Sequence, residues 1–133
     1  MYERSLSLAP LSPYRVLDLT DEGGHICGKI LADLGADVIK VEPPGGDPAR
    51  TLGPFHKEVS GPERDMGWWA FNINKRGITL DLETSDGREI LKRLTSRADL
   101  LVESFSPGYM EGLGLGYDTL TRLNPGLIMV SVT

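Results

Sequence analysis

The stretch that most constrains this chain is residues 15–42, RVLDLTDEGGHICGKILADLGADVIKVE. Val16, Leu17 and Leu19 form the short apolar run expected of a strand buried on both faces. Gly23-Gly24 interrupts it. Cys27, Ile30, Leu31 and Leu34 then recur at helical spacing, which predicts a helix with that buried stripe. Gly35 is placed to end the helix in the left-handed conformation. Asp37 to Glu42 reads as a second strand, and Pro43–Pro48 (PPGGDP) closes the unit. Two strands joined by one short helix make a right-handed parallel βαβ unit, whose ligands bind at the carboxyl ends of the strands. A site is therefore expected near Asp21–Gly24, Pro43 and the ends of later strands.

The rest of the chain extends the same alternation. Residues 1–13 read as a loose leader, with the ordered chain expected over 14–133. Pro43 to Met66 is a long polar stretch, of the sort that is functional or mobile. Trp68-Trp69-Ala70-Phe71 follows, and the two tryptophans read as core and interface anchors. Asn72–Gly77 is a turn in which Lys75-Arg76 is expected to be solvated. Ile78, Leu80 and Leu82 alternate with polar residues as a third strand. Thr84 or Asp86 caps a helix with a buried stripe of Ile90, Leu91, Leu94 and Ala98. Asp99–Val102 is a fourth strand, Pro107-Gly108 a turn, Tyr117–Asn124 a short helix and Leu127–Val132 a fifth strand. The order β-α-β-loop-β-α-β-loop-α-β implies an α/β fold, a parallel sheet with helices on both faces. Ending on an apolar strand, the chain is expected to be a fragment, or one piece of something larger.

Several classes of function are set aside by composition and spacing. Fourteen Lys and Arg against nineteen Asp and Glu, with pI near 5.0, argue against nucleic acid or an anionic membrane. No apolar run is long enough to span a bilayer, and no signal peptide opens the chain, so the cytoplasm is expected. The single Cys27 excludes an internal disulfide and reads as a small core residue. His25 and His56 have no Cys or carboxylate at ligand spacing, so no metal is expected. No G-x-S-x-G elbow is present. A dinucleotide site would use Gly23 and Glu42, but Gly23, Gly24 and Gly28 give G-G-x-x-x-G, and Asp21 and Glu22 would face a pyrophosphate. Asp18 and Asp21 read as turn and cap residues.

Several stretches together resemble the family III CoA-transferases, the group that includes formyl-CoA:oxalate and carnitine CoA-transferases. They are RVLDLT at 15–20, LADLGADVIKVEPPGGDP at 31–48, NKRGITLDL at 74–82, ADLLVESF at 98–105, Pro107-Gly108, LGLGY at 113–117 and Asn124-Pro125. The resemblance implies a Rossmann-like parallel sheet with flanking helices, the N-terminal part of a larger two-domain fold, and an interlaced homodimer, or a heteromer with a paralogous subunit. It implies coenzyme A, carried as acyl-CoA, and a small carboxylic acid as partners. In the implied reaction an aspartate attacks the thioester, giving a mixed anhydride and then an aspartyl-CoA thioester. That aspartate is expected beyond residue 133, so no catalytic residue is nominated here. An alternative is a non-catalytic half that pairs with a paralogous chain.

The resemblance places the CoA contacts at Gly23 and Gly24, through backbone groups, and at Pro43. It adds Leu80, Asp81, Leu82 and Glu83 after the third strand, Ser104, Phe105 and Ser106 after the fourth, and Gly112. Three of these depart from the family pattern: Glu83 stands where Lys is common, Ser104 where Asn is common, and Gly112 where a basic residue is expected.

Overall fold

The computed structural model describes residues 9–133; residues 1–8 of the expected leader lie outside them. Five parallel strands form one sheet: β1 (Arg15–Leu19), β2 (Asp37–Glu42), β3 (Arg76–Thr79), β4 (Leu100–Glu103) and β5 (Ile128–Ser131), in the order β3-β2-β1-β4-β5. The helices are α1 (His25–Asp33), α2 (Met66–Asn72), α3 (Ser85–Thr95), α4 (Tyr109–Gly112) and α5 (Tyr117–Leu123), with two 3₁₀ turns at Pro48–Thr51 and His56–Glu58. The expected α/β architecture with a parallel sheet is the observed one. After β3 the chain crosses back to place β4 on the far side of β1, so the strand order reverses there, where such sheets open a crevice.

Strand parity decides which helix each residue meets. Leu17, Leu19, Ile39, Val41 and Leu101 face α3, α4 and α5, packing with Leu91, Met110, Leu115 and Leu120. Val16, Val38 and Val102 face α1, packing with Ala32 and Ala36. Residues 9–13 form a turn tied to the end of α1 by the Leu11 N–H to the Leu34 carbonyl, 3.0 Å. Gly35 ends α1 with φ +102°, as its position predicts.

Four sequence expectations are corrected. The buried face of α1 is His25, Gly28 and Ala32, while Ile30 and Leu34 are exposed. Ile90 is likewise exposed; α3 buries Leu91 as expected, together with Gly87 and Thr95, and Ala98 beyond its end is buried too. The third strand ends at Thr79, because the β2 ladder it pairs with ends at Glu42; Leu80 makes one more bond to the Glu42 carbonyl, 2.8 Å, and turns inward. Finally, the stretch after β2 contains α2, whose N-terminus is capped by Asp65 accepting from the Trp68 N–H at 2.7 Å. Seven residues with three aromatics carry no periodic stripe, so this helix is invisible to a pattern search. Trp68 is buried and Trp69 exposed.

Candidate functional site

The carboxyl ends of β1, β2, β3 and β4 enclose a cleft of about 330 Å³. Leu19, Val41, Pro43, Pro44, Leu80, Leu82 and Phe105 give it an apolar lining. Asp21, Glu42, Asp47, Asp81 and Glu83 supply carboxylates, and none of the lining residues is a cation. Of the residues expected from the sequence, Pro43, Leu80, Asp81, Leu82, Glu83, Ser104 and Phe105 meet here. Gly23 and Ser106 line a shallower depression alongside, sharing Asp21, Ser104 and Phe105 with the cleft. Gly24 is buried, and Gly112 sits exposed at the end of α4, away from both.

Hydrogen bonds fix the rim. The Ser104 hydroxyl donates to Asp21 Oδ1 at 2.9 Å and accepts the Asp21 N–H at 2.8 Å, joining the ends of β1 and β4. Asp21 also accepts the Gly23 N–H at 3.1 Å, and its carbonyl accepts those of Gly24 and His25 at 3.0 and 3.1 Å. In the turn after β1 the Gly23, Gly24 and His25 N–H groups are thus all bonded to Asp21. Across the cleft the Tyr109 hydroxyl donates to Glu83 Oε1 at 2.5 Å. That bond, with partial burial, holds the Tyr109 phenol above its ordinary value and so protonated. The Tyr109 ring lies 4.7 Å from that of Phe105, tilted 36°. Tyr109 opens a four-residue helix directly after the expected Pro107-Gly108 turn, and nothing in its spacing marked it.

The wall after β2 is folded back on itself. Arg50 donates two bonds to the Glu42 carboxylate, 2.7 and 2.8 Å, and lies 4.0 Å over the Trp68 ring. Glu42 also accepts the Asp47 N–H at 2.8 Å. Burial raises the Glu42 carboxyl, but Arg50 and the Asp47 amide outweigh it and hold the group ionised below its usual range. The acid that a dinucleotide ribose would need is thus already occupied.

Beneath this wall lies a closed ring of buried and, at Asn72, half-buried polar side chains that the sequence reading did not anticipate. Asp18 and Lys40 are register partners in the middle of β1 and β2, and both are buried. Lys75 Nζ donates to Asp18 Oδ2 and to Asn72 Oδ1, each at 2.8 Å. Asn72 Nδ2 faces His25 Nδ1 at 3.4 Å, and His25 Nε2 faces Asp47 Oδ2 at 3.1 Å. Lys40 Nζ closes the ring, 3.4 Å from Asp47 and 3.7 Å from Asp18, and donates to the Thr20 carbonyl. With the amide of Asn72 oriented by Lys75, His25 takes the tautomer that donates from Nε2. Two lysines then balance two aspartates.

The ring's carboxylates stay ionised. Burial pushes the Asp18 carboxyl up, but Lys40 and Lys75, with bonds from Lys75 and Thr20, bring it below its ordinary value. Burial likewise opposes ionisation of Asp47, and the His25 bond, the Ala49 amide and Lys40 lower it to about 2. Burial draws the Lys75 ammonium down against the pull of Asp18. The direction at Asp18 decides the state of the pair, since three donors converge on that one carboxylate. Lys75, expected to be solvated, has a side chain only 1% exposed.

The family model of CoA-transferase family III matches residues 11–133. The chain belongs to this family. It is 48% identical over 122 residues to the succinyl-CoA:(R)-benzylsuccinate CoA-transferase subunit BbsE of Thauera aromatica, covering 92% of this chain and 30% of that protein. It is 47% identical over 126 residues to the succinyl-CoA–D-citramalate CoA-transferase of Chloroflexus aurantiacus, again covering 93% of this chain and 30% of the relative. Among solved structures, a CAIB/BAIF family protein from Brucella suis superposes with a TM-score of 0.84 at 40% identity, covering 94% of this chain and 33% of that one. The chain thus spans about a third of the length of the family members it matches. Among the described residues no helix is long and apolar enough to cross a membrane, and no cluster of three or more His, Cys, Asp or Glu could hold a metal.

Proposed function

We propose that this chain forms the CoA-facing sheet edge of an enzyme that moves CoA from an acyl-CoA to a small carboxylic acid. The observation that carries the reading is the cleft at the carboxyl ends of the strands, where Pro43, Leu80 to Glu83, Ser104 and Phe105 converge. Its apolar lining suits an uncharged portion of CoA, and the Phe105 and Tyr109 rings offer a stacking surface. The carboxylates at the rim suit hydroxyl or amino donors. The phosphates point away from them, toward cations supplied from beyond this cleft.

In this reading an aspartate outside residues 9–133 attacks the thioester carbonyl and expels the CoA thiolate, leaving a mixed anhydride. The thiolate then attacks the aspartyl carbonyl, releasing the donor acid and forming an aspartyl-CoA thioester. The acceptor carboxylate takes over the same two steps in reverse, and the aspartate returns free. Asp18 and Asp47 are unsuited to the role, being buried with their oxygens bonded, and Glu42 is held by Arg50. Relatives named for succinyl-CoA with mesaconate and for succinate with glutarate support a succinyl-CoA donor and a dicarboxylic acceptor. The one cysteine, Cys27, is free, as suits the reducing cytoplasm in which the reading sets the enzyme.

Titration of the whole protein with CoA tests this. Phe105→Ala should weaken CoA binding about tenfold, or ~1.4 kcal/mol, through lost stacking and apolar contact. Unchanged affinity would remove the cleft from the CoA site. A second reading, a non-catalytic half paired with a paralogous chain, is favoured by relatives named as alpha and beta subunits. Recovery of a longer paralogue with the tagged protein, and no thioester exchange without it, would select that reading.

A further inference from the structure

We infer that Lys40 is a positioning residue for the cleft, its buried ammonium joining the Thr20 carbonyl of one wall to the Asp47 carboxylate of the next. This rests on the CoA reading of the cleft. Thr20 and Asp47 both line it, yet they belong to different strand ends, β1 and β2. Lys40 stands between them at 2% exposure, on the sheet face away from the large apolar cluster. A lysine buried to this degree is costly unless every charge near it is matched. Here the match is made by the closed ring: Asp18 is shared with Lys75, and Asp47 with His25. Folding alone does not need this arrangement, because the neighbouring pair Val16 and Val38 shows that apolar residues fill the same sheet face.

What Lys40 adds is a directed link to residues that line the cleft. The wall it reaches, Pro43–Pro48, carries two glycines with positive φ, Gly45 and Gly46, and so has little intrinsic rigidity. Its other ties include the Gly46 N–H to the Pro43 carbonyl at 3.0 Å and the Asp47 N–H to Glu42. Both are local. The ion pair to Lys40 and the bond to His25 anchor the Asp47 side chain to the sheet and to α1. Removing the charge at 40 takes away the Asp47 side chain's tie to β2 and loosens it, while Asp18 keeps Lys75 and Asp47 keeps His25 and the Ala49 amide, 2.8 Å.

The test uses Lys40→Met in the whole protein, at a temperature where circular dichroism shows it fully folded. Amide exchange should accelerate about tenfold at Gly46, Asp47 and Ala49 and stay unchanged in β4 and β5. In parallel, the CoA dissociation constant should rise about tenfold through the displaced wall. Both changes together support the proposal. Unchanged CoA affinity, with or without faster exchange, overturns it and leaves Lys40 a purely structural residue. Should Lys40→Met not fold, Lys40→Gln, which keeps a donor for Thr20 without the charge, carries the same measurements. Failure of both to fold assigns Lys40 to folding alone and also overturns the proposal. If the wild-type protein binds no CoA, the functional reading fails on its own, and the exchange data still report whether Lys40 holds the wall.

Discussion

Asp47 carries one of the two negative charges in the buried ring, and its chemistry can be followed by pH. Its carboxyl is held at about 2 in the fold against 3.8 for the free side chain. A depressed value means that the folded state favours the ionised form, so its stabilising contribution is complete above pH 4. The contribution is lost as pH falls from about 4 to about 2, and amounts to about 2 kcal/mol. Asp18 is lowered in the same direction and steepens the loss. The thermal midpoint of the whole protein should therefore drop through that window, and Asp47→Asn should flatten the slope. Equal slopes for the two proteins would show that Asp47 is not held by the ring. The ring was half written in the sequence. Lys40 lies between Ile39 and Val41, and Asp18 between Leu17 and Leu19, so each charge sits inside a strand covered on both faces. Opposite charges at such positions can persist only if they pair. Lys75 and Asn72 gave no such sign, because a polar turn reads the same whether its lysine points to water or into the fold.

Helix α1 shows where hydrophobic periodicity misleads at the level of elements. The stripe Cys27, Ile30, Leu31 and Leu34 is real in the sequence, yet Ile26 and Ile30 face outward, both 51% exposed. The inward face must clear the Asp18–Lys75 pair, and this selects a small residue in place of an apolar one. A Cβ on Gly28 would lie 2.1 Å from Asp18 Oδ2 and 3.1 Å from Lys75 Cε. Gly28→Ala gains up to ~1 kcal/mol of helix propensity. The methyl, however, meets two groups already bonded in place, and overpacking of that kind costs ~1–3 kcal/mol. The variant should unfold at lower temperature by calorimetry. Gly112→Ala, whose new methyl would meet nothing within 4 Å, should change stability by less than about 0.5 kcal/mol. A Gly28→Ala protein as stable as the wild type would mean that the helix can shift away from the pair. The strands were readable because apolar runs and parity do mark a sheet covered on both sides. Helix α2 was not, since its three aromatics form no periodic stripe, and neither was α4, whose four residues are too few to carry a period.

On the scale of the molecule, charge sets a sharper constraint than shape. The chain has a net charge of -5, and the cleft gathers five carboxylates with no cation among its lining residues. CoA brings several phosphate charges of the same sign. If this cleft takes the uncharged part of CoA, the phosphates must meet cations outside the cleft, on this chain or on the two thirds of the related chains that it does not span. Contacts of that kind sit near solvent and are weakened by salt, because screening acts over about 8 Å at physiological ionic strength. A pantetheine thioester, which lacks the nucleotide, has only the cleft to bind. CoA affinity of the whole protein should therefore fall severalfold between low and high salt, while the affinity for the pantetheine thioester stays level or rises slightly through the apolar lining. Calorimetric titrations of both ligands at two salt concentrations separate the contributions. Parallel loss of affinity for the two would place a phosphate-like electrostatic contact within the cleft, against the disposition of Asp21, Asp81 and Glu83.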